Sequence, residues 1–217
     1  MGFFDRYKKK EQVVERVERL ENLPEMLHAK LLFFDKPILN ADKILEELKL
    51  YFGNVDNPQK DNAFLYFFPD IKVELKDTSI PAQCSIFIPD ETNSKAEISE
   101  EAFQQNWHWE DASAKAEKCN YEILISDFMT RTLEYKTRLD LFMNFLVAVT
   151  KATNPQVVYF ISSQKLIEPS SLIKSWDGQE KEILFGIMNV RLFNVSNSNT
   201  KELLMDTVGL SLLGLPD

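Results

Sequence analysis

YEILISDFMTRTLEYKTRLDLFMNFLVAVTKATNPQVVYFI, residues 121–161, is the stretch whose reading decides the fold. Tyr121–Asp127 reads as a strand, and a long helix follows over about 131–152, supported by Glu134 and Arg138 four residues apart. From Leu139 to Val149 the helix is apolar on nearly all sides, so it is expected to pack between other elements. Asp140 and Asn144 interrupt that run, and its length argues against a membrane span. Asn154-Pro155 ends the helix, and Val157–Ile161 is a second, fully apolar strand. A buried helix between two strands places the chain in the α+β class.

Working outward toward the N-terminus, Leu31–Phe34 reads as a short strand broken by Pro37. Asn40 is the expected N-cap of a helix over 41–52, with Ile44, Leu45, Leu48 and Phe52 on its buried face and Gly53 just past its end. Ala63–Phe68, apolar throughout, suits a central strand. Asp70–Lys76 alternates strictly and suits a half-exposed one; after a turn at Asp77-Thr78-Ser79, Ala82, Cys84, Ile86 and Ile88 alternate along another. Toward the C-terminus, residues 89–118 are polar and helix-prone. Pro169–Trp176 is a short helix with proline in its first turn, and Ile183–Val195 is a long strand. The turn Asn197-Ser198-Asn199 precedes a last segment, Glu202–Leu215.

The order strand, helix, strand, strand thus occurs twice. The expectation is an α+β fold: mixed sheets with helices packed on them, in which halves 28–90 and 119–217 form two ferredoxin-like β-α-β-β units joined by a helical, tryptophan-containing connection. The competing architecture is a single irregular α+β sheet. Residues 1–27 stand apart as an N-terminal amphipathic helix, with Phe3, Phe4, Tyr7, Val14, Val17 and Leu20 on one stripe. Phe3 and Phe4 beside Lys8, Lys9 and Lys10 are suited to an anionic membrane surface, but packing on the helix's own domain is the stronger expectation.

Bulk properties narrow the function. The formal charge of −9 disfavours nucleic acid, whose phosphates need a basic face. Two cysteines, Cys84 and Cys119, cannot frame a disulfide scaffold, and the first residues hold no signal-type apolar run. The expected compartment is the cytoplasm, with both thiols reduced. Only His28 and His108 are present, so a metal centre or a histidine-based nucleophilic site would have to assemble from distant segments; no metal and no cofactor are expected. Gly209–Gly214 has the glycine spacing of a phosphate loop, but Leu215 and Pro216 stand where lysine and a hydroxyl residue are needed. The two glycines are better explained by tight turns or close backbone approach.

The candidate binding residues fall into two groups. Trp107, His108, Trp109 and Asp111 form an aromatic shelf with acids beside it, suited to a sugar, a base or a cationic group. In the alternative, one tryptophan anchors a loop and His108 faces water. Asp127 ends a strand, with Arg138 following on the long helix and Arg191 in the late strand; a carboxylate there serves either a ligand or an arginine partner.

Trp107–Ala112, Tyr121–Asp127, Tyr135–Leu139, Val157–Phe160, Ser163–Pro169, Val190–Phe193 and Asp206–Asp217 occur in the order seen in one known group. Over most of residues 29–217 the chain resembles the bacterial family catalogued as domain of unknown function 4261. The resemblance implies a bacterial cytoplasmic α+β protein and no particular activity. Relatives continue past Leu215-Pro216-Asp217, where this sequence stops. The functional expectation is a non-catalytic binding or protein-interaction domain, immunity-like or an adaptor, with a basic protein as one concrete partner. The alternative is a small-ligand binder or a carboxylate-based enzyme using Trp107–Asp111 with Asp127 and Arg138 or Arg191.

Overall fold

The computed structural model describes residues 23–58, 64–89, 97–195 and 202–215. Most of the N-terminal helix expected over residues 1–27, with Phe3, Phe4, Lys8, Lys9 and Lys10, lies outside them, as do the turn at 197–199 and the terminal Pro216-Asp217. The α+β class is what the chain adopts.

Six strands form one sheet: β1 (His28–Phe33), β2 (Phe64–Glu74), β3 (Ser79–Phe87), β4 (Tyr121–Phe128), β5 (Val157–Phe160) and β6 (Lys165–Ile167). Their spatial order is β2-β3-β4-β1-β5-β6. Every pairing in it is antiparallel, so the sheet is not mixed. Strand β1 lies between β4 and β5 and joins the two halves. The two halves therefore interlock in one shared sheet, with a strand of the first half inserted between two strands of the second. A second, two-stranded ribbon pairs β7 (Asn189–Asn194) with β8 (Leu203–Val208).

One face of the sheet carries α1 (Ala41–Phe52) and α4 (Tyr135–Thr153). Helix α1 starts at Asn40, whose side chain accepts from the Lys43 N–H at 3.0 Å, and stops at Gly53. Helix α4 has twelve of its nineteen residues buried, so it is enclosed on most sides and forms the centre of the core. Ala29, Leu31, Ile123, Ile125, Val158 and Phe160 meet it from the sheet. The opposite face is thinner. There α2 (Glu100–Gln104) and α3 (Ala112–Ala116) lay Ala102, Ala112, Ala116 and Cys119 over Leu32, Val157, Tyr159 and Leu166. Alanines let these short helices approach the strands closely. Of the remaining helices, α5 (Pro169–Asp177) packs on α4, and α6 (Ile183–Ile187) packs on α5 and β6.

Four details differ from the sequence reading. The two segments expected as separate strands, at 63–68 and 70–76, are joined in one long strand, β2 (Phe64–Glu74), with a register irregularity between Phe68 and Lys72. Pro69 sits at that irregularity, where its missing N–H leaves no gap in the ladder. Helix α4 begins at Tyr135 because Glu134 caps it, accepting from the N–H groups of Lys136 and Thr137 at 3.0 and 3.1 Å; Glu134 therefore serves the helix start. The segment read as one strand from Ile183 is helix α6 followed by β7. Finally, residues 23–27 belong to the domain, since Leu23 and Leu27 are buried and Leu27 packs in the main core.

Candidate functional site

Asp127 lies on the α4 face at the end of β4, and Arg138 reaches it from the first turn of α4, with Nε 2.6 Å from Oδ2. Both side chains are essentially inaccessible. Asp127 also accepts from the Leu27 N–H (2.6 Å) and the Thr130 hydroxyl. Arg138 donates onward to the carbonyls of Pro24 and Glu25 at 2.9 and 2.8 Å. Both carboxylate oxygens and all three guanidinium nitrogens are thus used inside the protein. The cluster ties residues 24–27, β4 and α4 together, and no room is left for a ligand. His28 stands beside it; burial holds its pKa below the ordinary value, helped by Arg138 and opposed by Asp127.

Trp107, His108, Trp109 and Asp111 lie on the other side of the sheet, in the connection between α2 and α3. They do not meet Asp127 or Arg138. Nor do the two tryptophans make one shelf. Trp109 packs against the α2/α3 core, with Lys115 Nζ 5.1 Å from its ring centre. Trp107 turns outward, 64% exposed, and its Nε1–H donates to the Val190 carbonyl at 3.1 Å. Asp111 is exposed and makes no side-chain cap bond to α3. His108 is exposed as a residue, but its Nε2 points inward, 2.9 Å from the Leu166 carbonyl. A carbonyl only accepts, so Nε2 carries the hydrogen and the neutral ring presents Nδ1 as acceptor. Burial and the neighbouring charge of Lys165 lower its pKa, against the Leu166 carbonyl.

Arg191, the last candidate, grips Asp206 across the β7–β8 ribbon with two bonds of 2.9 and 2.7 Å, and reaches Gln164 at 3.1 Å. This fork holds Asp206 ionised below its usual pKa. The outer edge of β7 is covered by side chains. The Gln105 amide both donates to the Leu192 carbonyl and accepts from its N–H, each at 2.9 Å, as a neighbouring strand would. Trp107 covers the next carbonyl along that edge. On β8, by contrast, Leu203, Leu204 and Met205 are 69%, 55% and 67% exposed.

Between Trp107 and α6 lies a cleft of about 480 Å³, lined among others by His108, Lys165, Ile183, Leu184 and Val190. Lys165 is the residue that the sequence reading missed. It is buried, and its Nζ donates to the carbonyls of Phe185 (2.5 Å) and Met188 (3.2 Å) while lying 4.9 Å from the Phe185 ring centre. No carboxylate pairs with it among the described residues, and burial alone pulls its pKa down to about 8. A second cleft of about 640 Å³ adjoins through His108, Glu182 and Phe185, and also includes Glu168 and Lys174.

Of the closing glycines, Gly214 ends the turn after Leu213 at φ +70°, and Gly209 has a packing role. Gly209 has φ +103°, and a Cβ there would fall 2.0 Å from the Ile187 carbonyl oxygen, so the ribbon's end can lie against α6 only without a side chain. Both cysteines are buried with thiol pKa values raised by burial, which makes them poor nucleophiles. Among the described residues no group of three histidine, cysteine or acidic side chains is placed to hold a metal, and no helix is long and apolar enough to cross a membrane. No family model, curated protein or solved structure matches this chain.

Proposed function

We propose that the chain is a non-catalytic binding module that takes up a protein partner on the β7–β8 ribbon. The observation that carries this reading is the exposure of three consecutive apolar residues, Leu203, Leu204 and Met205. Side chains alternate along a strand, so an apolar triplet makes both faces of the ribbon apolar. A solvated ribbon normally has at least one polar face, and clustered exposed hydrophobics mark interaction surfaces. Leu192 and Val195, each 43% exposed, extend the surface onto the facing strand. Strand β8 has only β7 as a neighbour among the described residues, which leaves it open to a partner's extended segment. The net charge of −9 favours a partner with basic flanks. Membership of the domain of unknown function 4261 family, with its bacterial cytoplasmic setting, belongs to this proposal and rests on the sequence blocks alone; an adaptor or immunity-like role rests on the acidic charge and the two histidines.

A carboxylate-based enzyme has less support, because Asp127 and Arg138 are saturated and lie across the sheet from Trp107. The test is affinity purification of the full chain from its native host, beside a Leu203→Lys/Met205→Lys variant. A partner at one-to-one stoichiometry that is lost from the variant is expected. No stoichiometric partner, or one that the variant retains, would sink the reading. Both substituted positions are exposed, so the variant's folding stability should stay within about 0.5 kcal/mol of the original.

A further inference from the structure

The geometry points to a second binding site, the cleft between Trp107 and α6, for a small monocarboxylate with a flat apolar body, its carboxylate meeting Lys165 Nζ. An ammonium group has three hydrogens to donate. Two of those on Lys165 go to the Phe185 and Met188 carbonyls, and no acceptor for the third occurs among the described residues. Carbonyl dipoles orient the cation but do not neutralise it. A buried charge without an opposite charge is costly, and an anion entering the cleft would supply the missing one.

The surroundings select the anion. His108 gives its Nε2–H to Leu166 and has its pKa lowered, so it adds no second positive charge at neutral pH. Lys181 lines the same cleft but is occupied, 3.4 Å from Asp140 and over the Trp176 ring. Glu182, also in the lining, repels anions. One unpaired cation, with Glu182 in the same wall, suits a single negative charge and disfavours phosphate dianions. Apart from Asn189, the rest of the wall is apolar, chiefly Trp107, Ile183, Leu184 and Val190. The volume of about 480 Å³ falls within the range of small-molecule sites. The exposed Trp107 ring, fixed by its bond to Val190, offers a face on which a planar group can stack.

Benzoate is the probe, with benzamide as its uncharged counterpart and inorganic phosphate as the dianion. Saturable quenching of tryptophan fluorescence by benzoate is expected, absent in Trp107→Phe and at least about tenfold weaker with benzamide or in Lys165→Met. Should Lys165→Met fail to fold, the wild-type chain still decides the matter. Benzoate should slow acetylation of Lys165 by dilute acetic anhydride while leaving that of the exposed Lys118 unchanged, as read by mass spectrometry. Benzamide binding as tightly as benzoate, phosphate displacing benzoate at equal concentration, or an unprotected Lys165 would overturn the assignment. The Leu203→Lys/Met205→Lys variant should bind benzoate normally, so this site and the ribbon surface can fail separately.

Discussion

Two buried charges sit on opposite sides of this molecule's chemistry. Arg138 meets Asp127 at 2.6 Å, and every polar atom of the pair has a partner inside the protein. Lys165 is also buried, yet among the described residues it meets two carbonyls and the Phe185 ring and no acid. The first arrangement is closed and ties three chain segments together. The second is open and faces a cleft. Burial alone therefore does not separate structural charges from functional ones; the accounting of hydrogen-bond capacity does.

The sharpest way to break the comparison is Asp127→Ala. It strands Arg138 in the interior, and a loss of about 3–5 kcal/mol in urea unfolding is expected. Asp127→Leu combined with Arg138→Met should recover much of that loss, since replacing both members of a buried pair is often nearly neutral. A loss under about 1 kcal/mol in the single variant would mean that water reaches the pair.

Lys165 supplies a middle-sized effect with a defined sign. Its pKa falls from 10.5 in the unfolded chain to about 8 in the fold, so between those values the unfolded chain binds more protons. Stability from this group consequently rises with pH across that window and is lowest below about 8. Over the whole window the wild type should gain on the order of 3 kcal/mol relative to Lys165→Met. Urea midpoints of both proteins at pH 7 and pH ~9.5 read the difference. Parallel behaviour of the two proteins would show that Lys165 is hydrated. The smallest effect is expected for Trp107→Phe, which loses one part-exposed bond to Val190, about 1 kcal/mol or less. Faster amide exchange confined to residues 189–194 is the readout.

The closed charge pair was legible in the sequence and the open one was not. Asp127 at a strand end with Arg138 on the next helix already suggested an arginine partner, because both belong to strong local patterns. The bounds of α1 were equally plain, since Asn40 and Gly53 act within one turn of the helix. Strand β6 has three residues, too few for a period to show. Helix α6 was hidden for another reason. Its apolar residues suit a strand, and the helix is selected by packing, with Gly186 pressed under the Phe160 ring so that a Cβ would meet it at 2.8 Å. That segment supplies the carbonyls around Lys165, so misreading α6 concealed the cleft. Trp107 and Arg191 drew notice as residue types, but their partners, Val190 and Asp206, depend on the ribbon's register.

The central position of β1 has a consequence during synthesis. Its sheet partners are β4 and β5, and Ala29 pairs with Phe160, about 130 residues further along. A ribosome adding roughly 5–20 residues per second leaves Leu31 and Leu32 without either neighbouring strand for several seconds. While β2 and β3 can pair with each other at once, β1 is expected to stay on the nascent chain as an unpaired apolar strand, open to chaperones, until β4 is made.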